Sequence, residues 1–240
     1  AGMRVEDATA IRGLPLFRDM RDETFAELVA AGFLQRFPPG VVLIEESDRP
    51  DFLHIVVDGM VEMFATGAGR ETTVEIIRPL GVFILAAVLS DEVHLQSART
   101  LEKSRILLLP AAQVRATMET DPPFMRAIVA ELARSYRRTV RELKNLKLRT
   151  GAERLANWLL RAEREQGGHG RVEIAFEKRV LAARLGMTPE NLSRAFAALR
   201  EHGVSVAGAR VDLRAPEALR AFARPNPLID DREPRTSTVR

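Results

Sequence analysis

The run Phe176-Glu177-Lys178-Arg179-Val180-Leu181-Ala182-Ala183-Arg184-Leu185-Gly186-Met187-Thr188-Pro189-Glu190-Asn191-Leu192-Ser193-Arg194-Ala195-Phe196 reads as helix, tight turn, helix. Val180, Leu181 and Leu185 share one face of the first helix, Gly186 lets the chain turn at positive φ, and Thr188-Pro189 caps and opens the second helix. On that second helix Leu192, Phe196 and Leu199 point inward at helical spacing, which leaves Glu190, Asn191, Ser193 and Arg194 outward near its N-terminus. Those side chains suit base edges in a major groove: Arg donates two hydrogen bonds to guanine, Glu accepts from cytosine, and Ser serves either kind of edge. The bland alternative is a three-helix bundle with a polar exposed face. The coincidence of glycine turn, cap and polar cluster argues against it. Arg194, Glu190 and Ser193 are therefore the expected base readers, with Lys178, Arg179, Thr188, Asn191 and Arg200 expected to hold or support phosphate contacts.

Toward the C-terminus, Val204 to Leu213 alternates around Ala207-Gly208 like a β-hairpin, so the two helices are expected to carry a wing. Toward the N-terminus, Thr150-Gly151-Ala152-Glu153 has the spacing of a capping box and predicts a new helix after Thr150. Upstream of it, Asp121-Pro122 opens a long helix in which Met125, Ile128, Val129, Leu132, Tyr136, Val140, Leu143 and Leu146 recur at intervals of three and four. A seam that long, with Arg and Lys between, predicts pairing of two chains through Leu132, Tyr136, Leu143 and Leu146. A helix packed only on its own domain is the other reading. Before Asp121, a short helix from Asp22 to Ala31 precedes runs rich in β-branched residues, at 41–44, 52–57, 61–64, 72–77 and 106–109, broken by Ser47-Asp48-Arg49-Pro50-Asp51 and Asp58-Gly59. Short strands at that spacing predict a sandwich or barrel rather than a parallel α/β fold.

The 240 residues suit two domains, and the longest apolar stretches fall well short of the roughly 18 residues that a membrane helix needs. No cysteine is present, which excludes a disulfide framework, a thiolate zinc site, a cysteine-held iron–sulfur cluster and a cysteine nucleophile. Ala1-Gly2 reads as a short addition ahead of Met3, no basic-then-apolar signal segment follows, and a cytoplasmic location is expected. The charge is unevenly spread. From Arg137 onward there are 22 Lys and Arg against 13 Asp and Glu, whereas the first 136 residues are net acidic. A basic C-terminal half suits a polyanion, because each neutralised phosphate releases counterions, although solvated Arg-rich helices would give the same count. No Gly-rich phosphate loop, metal-spaced His pair or Ser/His/Asp arrangement is present, so no catalytic activity is expected.

From about Leu14 to Leu213 the chain resembles the superfamily of the cyclic-AMP receptor protein and the fumarate–nitrate regulator. Pro39-Gly40, Asp48, Asp51 to Val57 and Gly59 resemble that family's β-roll, Asp121 to Leu148 its dimer helix, and Glu177 to Gly203 its winged helix-turn-helix. The resemblance implies an α+β chain: an N-terminal β-roll of the cyclic-nucleotide-binding jelly-roll kind at 1–120, a dimerisation helix at 121–149, a winged helix-turn-helix domain at 150–224 and a flexible tail at 225–240. It implies a homodimer that binds double-stranded DNA and works with RNA polymerase, and no membrane partner. The pattern Glu190, two residues, Ser193-Arg194 is similar to the fumarate–nitrate type, which implies a TTG-type half-site repeated in inverted orientation.

The effector is expected to differ from cyclic AMP. Cyclic-nucleotide binders of this family present a glycine–glutamate pair and, further on, an arginine ahead of Ser-Ala; the matching segment Gly81 to Leu89 is uncharged here, and Gln96 stands before Ser97-Ala98. An unpaired cyclic phosphate in such surroundings would cost several kcal/mol. A pocket of Phe83, Ile84, Leu85, Val88 and Leu89 beside Gln96 would suit a flat apolar ligand, and the cysteine-free pattern resembles the nitric-oxide regulators of denitrification, which implies haem. An axial ligand would come from His94 or His54. Ordinary core packing of the same run, with another effector or none, is the competing reading.

Overall fold

A computed structural model of the chain describes residues 5–230. It divides into two compact units, with the break between Ser135 and Tyr136. Before the break lie helices α1 (Val5–Arg12), α2 (Asp22–Ala30), α3 (Leu85–Ser90) and α4 (Ala111–Thr120), and strands β1 (Phe33–Phe37), β2 (Val42–Ile44), β3 (Phe52–Asp58), β4 (Val61–Gly67), β5 (Arg70–Ile77), β6 (Val82–Phe83), β7 (Ser97–Thr100) and β8 (Ser104–Pro110). The strands form two antiparallel four-stranded sheets, in the orders β1-β8-β3-β6 and β2-β7-β4-β5. This is the jelly roll expected.

Its central strands β3 and β8 are apolar on both faces because both faces are covered. Val56, Ile106 and Leu108 meet Val61, Met63 and Ala98 of the other sheet, while Leu53, Ile55, Leu107 and Leu109 pack with Phe17, Leu28, Val114, Phe124 and Ile128. Such strands lose the in–out alternation of a half-exposed sheet and read as continuous apolar runs. The turn between β3 and β4 requires glycine. Gly59 has φ +92°, and a Cβ there would lie 2.6 Å from the Cα of Ser104.

Helix α5 runs Pro122–Leu148, as its caps predict. Asp121 accepts from the Phe124 N–H at 3.0 Å, which satisfies a first-turn donor, and its other oxygen takes the Arg21 N–H at 3.0 Å and the Thr24 hydroxyl. Burial works to raise the pKa of this fully buried carboxyl, but the Thr24, Phe124 and Arg21 hydrogen bonds outweigh it and hold the group below the usual range. Only Phe124 and Ile128 of α5 are buried, with Leu132 partly buried against the same core. Val129, Tyr136, Leu143 and Leu146 are 58%, 71%, 50% and 42% exposed. The seam read from sequence is thus two faces: one closes the first unit's core, and the other is uncovered in the single chain.

The second unit contains α6 (Gly151–Glu165), β9 (Arg171–Glu173), α7 (Lys178–Arg184), α8 (Pro189–Ala198), a 3-10 turn (Leu199–His202), β10 (Val204–Ala207), β11 (Arg210–Leu213), α9 (Pro216–Ala223) and α10 (Pro227–Asp230). The capping box forms as spelled: Thr150 Oγ1 accepts from the Glu153 N–H and the Glu153 carboxylate from the Thr150 N–H, at 3.3 and 2.8 Å. The wing has a third strand, since β9 pairs antiparallel with β11. Part of the expected flexible tail is structured. Residues 227–230 are helical and Asp230 is held by Arg149, while residues 231–240 lie outside the described residues. The unit break also falls inside α5 rather than at Thr150, because Glu142 and Leu146 contact the second unit's own residues Arg184 and Gly186.

Candidate nucleic-acid interface

Helix α8 owes its placement to Thr188, whose hydroxyl accepts from the Asn191 N–H at 3.3 Å, and to Pro189 at the first helical position. Leu192, Ala195, Phe196 and Leu199 are buried. Glu190, Asn191, Ser193, Arg194 and Arg200 are exposed, as the helical spacing requires. The Glu190 carboxyl sits below its ordinary pKa because its own backbone N–H and the Thr188 hydroxyl donate to it, with the Arg194 charge adding to the effect. At neutral pH it is a carboxylate, an acceptor only, which is what a cytosine amino group needs. The Arg194 guanidinium donates to Asn191 Oδ1, and Ser193 Oγ donates to the Pro189 carbonyl at 3.0 Å. Each of the three expected base-reading side chains is thus held by partners within its own stretch of chain.

Lys178 and Arg179 open α7 and are exposed. The Lys178 ammonium lies 5.8 Å from the Phe196 ring centroid, and Arg179 Nε lies 3.4 Å from Glu177. The structure brings these two, Thr188, Asn191 and the three residues expected to read bases onto one small unit, with Arg200 on the following 3-10 turn.

Sequence reasoning missed the side chains behind this face. Arg154 of α6 donates to the carbonyl oxygens of Leu185 at 2.7 Å and Gly186 at 3.3 Å, in the turn before α8, and to that of Arg149 at 2.7 Å. Burial lowers its pKa, and Glu142 opposes that. Arg184 pairs with Glu142 at 2.9 Å. Gly186 has φ +64°, a dihedral that favours glycine, and a Cβ there would require the Leu146 side chain, whose Cδ2 would lie 2.7 Å away, to shift. No local pattern marks Arg154 or Glu142, because their partners lie about thirty to forty residues away.

The effector run is packed. Leu85 and Val88 are 7% and 0% exposed in the core with Leu53 and Val114, Phe83 belongs to the core between the sheets, and Ile84 packs against both. Leu89 and Gln96 are half-buried. Ile84 has φ +59°, a costly conformation for a β-branched residue. An arginine does follow Gln96, at Arg99, but its guanidinium is held by buried Glu62 at 2.7 Å and by Glu71.

His54 is buried beside Phe83, with ring centroids 5.2 Å apart, and its Nδ1 lies 3.0 Å from the Phe52 carbonyl oxygen. Burial lowers its pKa to about 4, with the nearby His94 charge acting in the same direction. His94 is also buried and its Nδ1 has no hydrogen-bond partner; burial lowers its pKa against the pull of Asp48 and Asp51. Among the described residues no cluster of three or more His, Asp or Glu could hold a metal ion, and no helix is long and apolar enough to cross a membrane.

Comparison with known proteins agrees with this architecture. Residues 34–121 match the cyclic nucleotide-binding domain, and residues 153–222 match the Crp-like helix-turn-helix domain. The CRP-like cAMP-activated global transcriptional regulator of Mycobacterium tuberculosis is 26% identical over 172 residues, which cover 70% of this chain and 77% of that protein. The catabolite activator protein of Thermus thermophilus is 26% identical, with a TM-score of 0.50 over 88% of this chain and 99% of the other. DNR from Pseudomonas aeruginosa shares the fold at 21% identity and a TM-score of 0.50, over 92% of this chain and 98% of that one. A cyclic-nucleotide-binding jelly roll followed by a helix-turn-helix domain defines a CRP-like transcription regulator. The chain belongs to the CRP/FNR family.

Proposed function

We propose that this regulator is a homodimer, paired through the exposed face of α5, that reads an inverted repeat of TTG-type half-sites. In this reading residues 1–120 serve as the effector roll, 121–149 as the dimer helix and 150–224 as the winged helix-turn-helix domain. Glu190, Ser193 and Arg194 read bases, and Lys178, Arg179 and Arg200 hold phosphates, with Thr188 and Asn191 as support. The observation that carries this reading is the exposed face along the first two turns of the capped helix α8, where a carboxylate, a hydroxyl and a guanidinium lie at helical spacing. RNA polymerase is the expected protein partner, and the cytoplasm the expected location. A gel-shift titration against a TTG-type inverted repeat tests it. Binding should weaken steeply as salt rises, and a salt-independent or sequence-indifferent complex would sink it.

The effector in this reading is not cyclic AMP, although the M. tuberculosis relative is described as cAMP-activated. The segment that would meet the nucleotide has no charge, Gln96 has no charge with which to neutralise a phosphate, and Arg99 already serves two carboxylates. Haem with nitric oxide is the leading candidate. His94 offers a buried Nδ1 without a partner as an axial ligand, and His54, whose Nδ1 lies against the Phe52 carbonyl oxygen, has the backbone partner that would orient its Nε2 toward a metal. Haem entry would require the run around Leu85 and Val88 to open, and the closed packing of that run favours a second reading, a regulator with another effector or none. An absorbance spectrum after haem addition separates the two. A Soret band that shifts with nitric oxide and is lost in His94→Ala supports haem, and a spectrum of unbound haem supports the alternative.

A further inference from the structure

Only Arg149 and Thr150 separate α5 from α6, so the backbone of these two residues sets how α6, and the reading helix packed on it, leaves the long helix. Arg149 is clamped on both sides of that joint. Its carbonyl oxygen accepts from Arg154, the side chain that also ties down the turn ahead of α8. Its guanidinium donates back to Asn145 of α5 at 3.1 Å and forward, through two bonds of 2.7 and 2.5 Å, to Asp230. The pair is 7% and 11% exposed. Asp230 is itself built into place: its carboxylate accepts the Asn226 N–H at 2.6 Å, Asn226 Oδ1 accepts the Leu228 N–H at 2.9 Å, and the segment leaves α9 where Asn157 holds the Ala223 carbonyl at 2.7 Å. Arg149 lies between the two matched domains and Asp230 beyond the second, so neither belongs to the part of the chain shared with the matched families.

We propose that the Arg149–Asp230 pair is a latch by which the segment after the wing fixes the angle of the reading helix on α5, and so the half-site spacing that a dimer accepts. Arg149 and Asp230 are positioning residues that touch no base or phosphate. A bidentate, nearly buried guanidinium–carboxylate pair has one geometry, unlike a solvated surface pair, and that is what a register device needs. The inference rests on the proposed dimer reading an inverted repeat.

The test uses the full chain and a set of TTG-type inverted repeats whose spacer is lengthened or shortened by one or two base pairs, with a single half-site as control. The parent chain should prefer one spacer by about tenfold, and Asp230→Ala should cut that ratio to about threefold or less while single-half-site binding changes by no more than about twofold. Arg149→Asp alone should behave likewise, and Arg149→Asp combined with Asp230→Arg should restore the spacer preference, because a pair that acts by contact couples in a double-mutant cycle. A contribution to folding alone would weaken every probe equally and leave the ratio untouched, which overturns the latch. A swap that fails to restore the ratio overturns it as well. If the parent chain is indifferent to spacer, the dimer reading falls and takes the latch with it; if the parent is selective and Asp230→Ala equally so, only the latch falls.

Discussion

Arg194 and Arg179 carry the same group at the surface of the same unit, yet different losses are expected from them. Arg194 projects from the second turn of α8 beside Asn191, where the proposed reading sets it against a base edge, whereas Arg179 lies in the first turn of α7 beside Glu177, where the same reading sets it against a phosphate. Arg194→Ala should cost about 1–3 kcal/mol on the matched repeat and relax the preference at guanine. Arg179→Ala should weaken all sequences alike and lower the salt slope by about one. Fluorescence anisotropy on matched and scrambled half-sites, at several salt concentrations, distinguishes the two. His54 gives a different residue-scale expectation. Its pKa falls from 6.5 in the open chain to about 4 in the fold, so between those values the unfolded chain binds the extra proton. Stability contributed by the neutral, buried ring is complete above pH 6.5, declines as pH drops and is gone below about pH 4, a difference of about 3 kcal/mol. Urea unfolding at pH 7 and pH 4.5 should show this loss, and His54→Leu should flatten it. An equal slope in the variant would mean that another group carries the acid sensitivity.

At the scale of the element, α5 does two jobs with one amphipathic pattern. Asp121 anchors its start, Phe124 and Ile128 close the jelly-roll core with Leu132 packed against it, and Val129, Tyr136, Val140, Leu143 and Leu146 are left exposed in a single chain. Val129, Tyr136, Val140 and Leu143 at three- and four-residue spacing form a stripe suited to a second copy of the same helix. Leu143→Glu would place a carboxylate in that seam, at a cost of several kcal/mol to pairing and little to the single chain. Sedimentation should show monomers, and an unaltered dimer would remove α5 from the interface.

For the whole molecule, the question is what the first unit listens to. Its sheets enclose a packed apolar core, Arg99, three residues after Gln96, is engaged by Glu62 and Glu71, and burial lowers the pKa of His54 and His94. In the proposed reading such an interior offers a cyclic phosphate no charged partner to offset its desolvation. Calorimetry with millimolar cyclic AMP should register no binding heat. A saturable heat at micromolar ligand would overturn the effector argument while leaving the DNA-reading one intact, since no step of the latter uses the jelly roll.

Much of this was written in local chemistry. The extents of α5 and α8, the turn at Gly186, the capping box at Thr150 and the exposure of Glu190, Ser193 and Arg194 follow from Pro, Gly, hydroxyl caps and helical spacing, each acting over a few residues. The strands β1 and β9 and the helix α4 were not legible in this way, since none carries a strong periodic or capping signal and each is held by partners distant in sequence. Periodicity also could not divide the α5 seam between its own core and the outside, because an apolar residue has the same spacing whichever surface it meets. The same ambiguity leaves the run from Phe83 to Leu89 readable as pocket lining or as core, and its buried members pack into two cores. The Arg154 clamp and the Arg149–Asp230 pair were invisible for a further reason. A charged side chain reads as solvated until the folded chain brings a carbonyl or carboxylate against it, and only tertiary structure closes an 81-residue loop around one ion pair.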